Sequence, residues 1–151
     1  MSRRMIADFL RRLAQPEADR LPEPDARLAL AALLVRIARA DGSYDAGEIA
    51  RIDRVLARRF ALTAEAAGTL RTEAEAVEAE APDTVRFTRA IKEGVPYEER
   101  ITVIEALWEV VLADGERDEE EDALLRMVAP LLGIEDRDSG LARQRAAARR
   151  A

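Results

Sequence analysis

Two stretches of this chain spell one pattern: Ala40-Asp41-Gly42-Ser43-Tyr44-Asp45-Ala46-Gly47-Glu48 and Ala113-Asp114-Gly115-Glu116-Arg117-Asp118-Glu119-Glu120-Glu121, both A-D-G-x-x-D-x-x-E. They lie 73 residues apart, Asp41 to Asp114. The same offset aligns Leu30 with Val103, Leu34 with Leu107 and Ile37 with Val110 upstream, and Ile52 with Leu125 and Val55 with Val128 downstream. Repetition at a fixed offset in matching apolar context marks an internal duplication. The apolar residues recur at steps of three and four, the period of one helix face. A glycine after such a run suits the left-handed residue that ends a helix. D-x-x-E then opens the next helix as a capping box with Asp as the cap. Each copy therefore reads as helix, Asp-Gly turn, helix.

Working outward, Met5, Ile6, Phe9, Leu10 and Leu13 form one face of an amphipathic helix over residues 2–14, with Arg3, Arg4, Arg11 and Arg12 opposite. Such a helix suits a membrane surface or a partner, but most amphipathic helices dock on their own domain, and that is the expectation here. Pro16, Pro22 and Pro24 make a linker, and Asp25 is a candidate N-cap. After the first repeat a helix is expected from about Thr63 to Ala79, with an acidic end, and a short one from Pro82-Asp83 to Gly94. The segment after Pro96 carries Ile101, Ile104, Leu107, Trp108 and Val111 in register and runs into the second repeat, which closes on Leu132-Gly133-Ile134 as a Schellman end. The stretch Arg137–Ala151 offers only Leu141 for burial and reads as a frayed helix. No segment alternates with period two, so the fold class is all-α, a compact domain of about seven helices with two pseudo-symmetric helix–Asp-Gly–helix repeats. The organisation expected is 1–24 helix and linker, 25–135 helical domain, 136–151 Arg/Ala-rich tail.

Composition narrows the chemistry. The 151 residues include no Cys and no His, which excludes disulfides, thiolate and imidazole metal ligands, and Ser-His-Asp triads. The 7 glycines are scattered singly, so there is no phosphate-cradling Gly-rich loop. A net charge of −6 argues against general nucleic-acid binding. No apolar run approaches the roughly 20 residues that span a bilayer, and charged residues interrupt the N-terminal apolar ones, unlike a signal peptide. A cytoplasmic location is expected.

What remains is carboxylate chemistry. Capping explains Asp45 and Glu48, and equally Asp118 and Glu121, without any ligand. Asp41 and Asp114 stand at helix C-termini, where the dipole disfavours negative charge, and they continue the apolar stripes Leu30, Leu34, Ile37 and Val103, Leu107, Val110. Three carboxylates converging at a core edge repel one another unless a cation or donors intervene. All the ligands being oxygens, Ca²⁺, Mg²⁺ or Mn²⁺ is the natural partner. The spacing is not that of an EF-hand, which needs D-x-D-x-D-G. Cation binding and structural capping both stay open, since Arg36, Arg39, Arg51 or Arg117 would also neutralise the acids.

The duplicated acidic motif, the Leu-rich helix before each copy and the Leu-Gly-Ile close resemble the TerB family, tellurite-resistance protein B and its small relatives, and the helical module is similar to the N-terminal domain of the DjlA co-chaperone. The resemblance covers roughly residues 25–135. It implies two pseudo-symmetric halves, divalent-metal binding by Asp41, Asp45, Glu48, Asp114, Asp118 and Glu121, and a stress-related or interaction role near the inner face of the membrane. The expectation is a non-enzymatic metal-binding regulatory or scaffold module with a protein partner. The alternatives are a metal-independent interaction domain, using the N-terminal helix or the acidic 73–83 face, and a carboxylate-metal hydrolase. The hydrolase is weakened by the lack of an accompanying nucleophile or base.

Overall fold

The computed structural model describes residues 2–14, 23–40, 44–80, 84–112 and 119–150, and among them eight α-helices follow one another with no strand. In chain order they are α1 (Arg3–Ala14), α2 (Glu23–Ala38), α3 (Ala46–Phe60), α4 (Ala64–Glu80), α5 (Thr84–Gly94), α6 (Tyr97–Leu112), α7 (Glu119–Leu131) and α8 (Asp136–Arg150). The Asp-Gly segments of the two motifs, residues 41–43 and 113–118, lie outside the described residues.

The stripes that mark the repeat lie on the two central helices. On α2 every residue from Leu28 to Val35 is buried, and on α6 every residue from Val103 to Val111. A helix apolar on nearly all sides is stable only when neighbours surround it. Here α2 packs on α3, α4, α5, α6 and α7, while α6 packs on α2, α3, α5, α7 and α8. Leu34 and Leu107 are fully buried, as are Ile37, Ile52, Ile104 and Leu125. Each such side chain contributes roughly 1.5–3 kcal/mol relative to exposure.

The duplication reaches further than the paired hairpins. Shifted by the same 73 residues, α4 falls on α8, and α4 lies along α2 as α8 lies along α6, the two most extensive helix pairs. Each unit thus has a buried central helix, a partner after the Asp-Gly turn and an outer helix returning over the first. This corrects the expectation of a frayed tail. Leu141 is half-exposed, and α8 is held by Ala142 and Ala146, both fully buried against the core, where small side chains permit close approach. Trp108 on α6 donates from Nε1 to Ser139 Oγ (3.4 Å), and the Arg143 guanidinium lies 5.4 Å from the centre of its ring. The eighth helix is this one.

The N-terminal helix docks on its own domain, as expected. Ile6 and Phe9 are buried and α1 contacts α4 and α5. Asp25 is not an N-cap. α2 begins two residues earlier, with Pro24 in its first turn, where its missing N–H costs nothing, and Asp25 is buried within that turn. The Leu-Gly-Ile end forms as expected. Gly133 has φ +70°, its N–H donates to the Pro130 carbonyl (2.9 Å), and the Ile134 N–H donates to the Ala129 carbonyl (3.0 Å), with Ile134 buried.

Candidate functional site

At the start of α3, Asp45 has extended backbone (φ −95°, ψ 176°), and its Oδ1 accepts the Glu48 N–H at 2.9 Å. This is the capping role of Asp45, realised. The Asp45 side chain is exposed, whereas Glu48, one turn on, is drawn inward and only 8% exposed. Of the remaining candidates, Asp41, Asp114 and Asp118 lie outside the described residues. Glu121 belongs to α7, but its side chain lies outside them too. Among the described residues no group of three acids forms a cation site.

Tyr44, the first described residue after the first Asp-Gly segment, is anchored. It is half-buried, with the Arg39 guanidinium 4.8 Å from the centre of its ring. Burial first, then the neighbouring Glu75 carboxylate, pushes its phenol well above the usual value. Arg71 on α4 donates to Asp53 Oδ1 (2.8 Å) and Glu75 Oε1 (3.0 Å), tying α3 to α4 beside it. Arg36 and Arg39, two of the arginines expected to neutralise the motif acids, both engage Glu78 on α4. Arg36 Nε donates to Glu78 Oε1 (3.2 Å), and Arg39 pairs with Glu78 Oε2.

The sequence reading missed a second polar cluster. Glu105 and Glu109 on α6 are buried, at 4% and 7% exposure. Arg59 on α3 reaches Glu109 Oε1 (2.9 Å) and Glu105 Oε1 (3.4 Å), and Arg145 on α8 donates to Glu105 Oε2 (3.1 Å). Arg58 pairs with Glu109, and Arg149 with both carboxylates. Burial alone would raise the Glu105 carboxyl. The Arg145 hydrogen bond and the charges of Arg59, Arg149 and Arg145 outweigh it and hold the carboxyl below its usual value. The available signal was spacing: Glu105 and Glu109, and Arg145 and Arg149, are each i, i+4 pairs. In front of the cluster an open groove of about 460 Å³ is lined by Arg51, Arg54, Val55 and Arg58 of α3, Glu109 of α6, and Ala146 and Arg149 of α8.

Among the described side chains of the apolar face of α1, Ile6 and Phe9 are buried on the chain itself and Leu10 partly so, while Met5 is exposed. On the acidic face Glu75 pairs with Arg71 and Glu78 with Arg36 and Arg39, while residues 81–83 lie outside the described residues. No helix among the described residues is long and apolar enough to cross a membrane.

An all-helical domain built from two units, each with a buried central helix leading into an acidic Asp-Gly motif, is the class that these features define. Residues 27–144 match the family model of tellurite resistance protein TerB, and the chain belongs to that family. Searches of curated proteins and of solved structures find no match to this chain.

Proposed function

We propose that this TerB-family chain is a non-enzymatic regulatory or scaffold module whose acidic motifs hold a divalent cation. The observation that carries the reading is the inward position of Glu48 beside the Asp45 cap, in a motif that the chain repeats. A carboxylate is drawn out of water only against positive charge or donors. The donor set is oxygen alone, which suits Ca²⁺, Mg²⁺ or Mn²⁺. Asp45 and Glu48 are too few by themselves, and the motif supplies Asp41 as the third, with Asp114, Asp118 and Glu121 the corresponding set. A bound ion would contribute a fixed charge that lets these acids approach one another and ties the end of the central helix to the helix after it.

Titration of Ca²⁺, Mg²⁺ and Mn²⁺ into chelator-treated protein, followed by calorimetry, tests the reading. Saturable binding that Asp45→Asn weakens supports it. Absence of saturable heat for all three ions overturns it. The Asp45 cap hydrogen bond favours the second reading, a metal-independent interaction domain in which the motif only starts a helix.

A further inference from the structure

We propose that the groove between α3 and α8 binds a small soluble anion of the diphosphate type. This inference is independent of the cation reading and rests on different residues. The chain carries a net charge of −6, yet the described residues that line the groove include Arg51, Arg54, Arg58 and Arg149, with Glu109 the one carboxylate among them. Behind them Arg59 and Arg145 share Glu105 and Glu109. Among the described residues Arg54 and the exposed edges of Arg58 and Arg149 therefore offer guanidinium donors to the groove in an otherwise acidic protein, and an anion is what would accept from them.

The arrangement is preorganised from behind. Glu109 is nearly buried and grips Arg58 and Arg149, whose side chains are still 55% and 43% exposed. A guanidinium has five N–H donors in a rigid fork, so engaging one edge with a carboxylate leaves others for an oxyanion at no further cost in side-chain order. Arg54 is exposed and enters none of the ion pairs of the cluster. Arg51, Arg54 and Arg58 share one face of α3 at spacings of three and four, spanning about 10 Å of helix axis, more than one phosphoryl group bridges. Among the described residues the apolar lining is Val55 and Ala146, with no aromatic ring for a base to stack on. Those two features select a diphosphate over a monophosphate and over nucleic acid. Bidentate guanidinium recognition of phosphate oxygens supplies the affinity.

The test is calorimetric titration of inorganic pyrophosphate into the full chain at fixed ionic strength with chelator present, which keeps the outcome separate from cation binding. One saturable site is expected, with orthophosphate weaker. Arg54→Ala should weaken pyrophosphate roughly five- to ten-fold with an unchanged melting temperature, since it removes an exposed charge-assisted contact. Arg58→Lys keeps the charge but loses the fork and should weaken binding as well. Arg89→Ala, at an exposed arginine on α5 outside the groove, should change nothing. Absence of saturable pyrophosphate binding, equal weakening by Arg89→Ala and Arg54→Ala, or capture by vesicles containing phosphatidic acid without binding of soluble pyrophosphate would each overturn the proposal.

Discussion

Arg36 and Glu109 occupy equivalent positions of the two repeats, 73 residues apart, and bring opposite charges to equivalent interfaces. Arg36 on α2 meets Glu78 on α4, and Glu109 on α6 meets Arg149 on α8. Both central helices thus present a charge to the outer helix lying over them, and each outer helix answers with its complement. The polarity is inverted between halves. An outer helix paired with the wrong central helix would bring like charges together, a cost that favours the correct pairing during folding.

The second of these interfaces makes stability depend on pH. Glu105 is held below its usual carboxyl value, so its contribution is fully present above the unfolded value, near 4.5, and is lost as pH falls through the lower folded value. Glu105→Gln leaves Arg145 and Arg149 facing a neutral group and should cost roughly 1–3 kcal/mol at pH 7. Denaturant melts from pH 7 to pH 3 should show the gap between wild type and variant closing on the acid side. A gap that stays constant over that range would mean that the ion pairs do not supply the stability.

The end of α3 offers a gain. Ala61 has φ +53° and ψ +47°, its N–H donates to the Ala57 carbonyl, and the Leu62 N–H donates to the same oxygen at 2.9 Å. A Cβ in the left-handed region costs about 1 kcal/mol, which glycine avoids. Ala61→Gly should therefore raise the melting temperature, by an amount corresponding to a few tenths to about 1 kcal/mol once the greater freedom of unfolded glycine is subtracted. At Gly133 the same logic runs in reverse. A Cβ there would lie 2.8 Å from Arg100 Nη1 and 3.0 Å from Lys92 Cε, so Gly133→Ala should lower the melting temperature.

These two helix ends show what was legible in the sequence. Leu132-Gly133-Ile134 announces its turn because glycine is the residue that the positive φ prefers. Phe60-Ala61-Leu62 forms a comparable left-handed end with no local sign of it, because tertiary packing of Leu62 sets the backbone there. The central helices were readable from period and offset. The eighth was read as frayed because Ala142 and Ala146 carry so little apolar surface that an Arg/Ala-rich stretch shows no stripe. Glu105 and Glu109 were passed over for a related reason: charges within an apolar run look solvated until α3 and α8 are seen to close over them. At the candidate cation site, residue type and spacing were legible, and so was the inward position of Glu48, four and seven residues before the buried Ile52 and Val55.

Packing of α8 carries its own consequence. Removing residues 136–151 would expose the α6 surface beneath Ala142 and Ala146 and strip Arg145 and Arg149 from two buried carboxylates. An uncompensated buried charge is strongly destabilising. The truncated chain should lose cooperative thermal unfolding or melt far lower than the full chain. A truncation that melts like the full chain would return α8 to the status of an appendage.

The first acidic motif allows capping and cation binding to be separated in one set of melts. Asp45 caps α3 through Oδ1, and Asn caps about as well as Asp, whereas Ala removes the acceptor at a cost of about 1 kcal/mol. In chelator, Asp45→Asn should therefore melt close to wild type and Asp45→Ala several degrees lower. Millimolar divalent cation should raise the wild-type melting temperature, because an ion that binds the native state stabilises it by mass action. Asp45→Asn retains the cap but loses a charged oxygen ligand, so that rise should be much reduced in the variant. Asp118→Asn should behave in parallel if the second motif binds as the first does. An equal cation-induced rise in wild type and Asp45→Asn would leave Asp45 as a helix cap alone and remove it from the proposed ligand set.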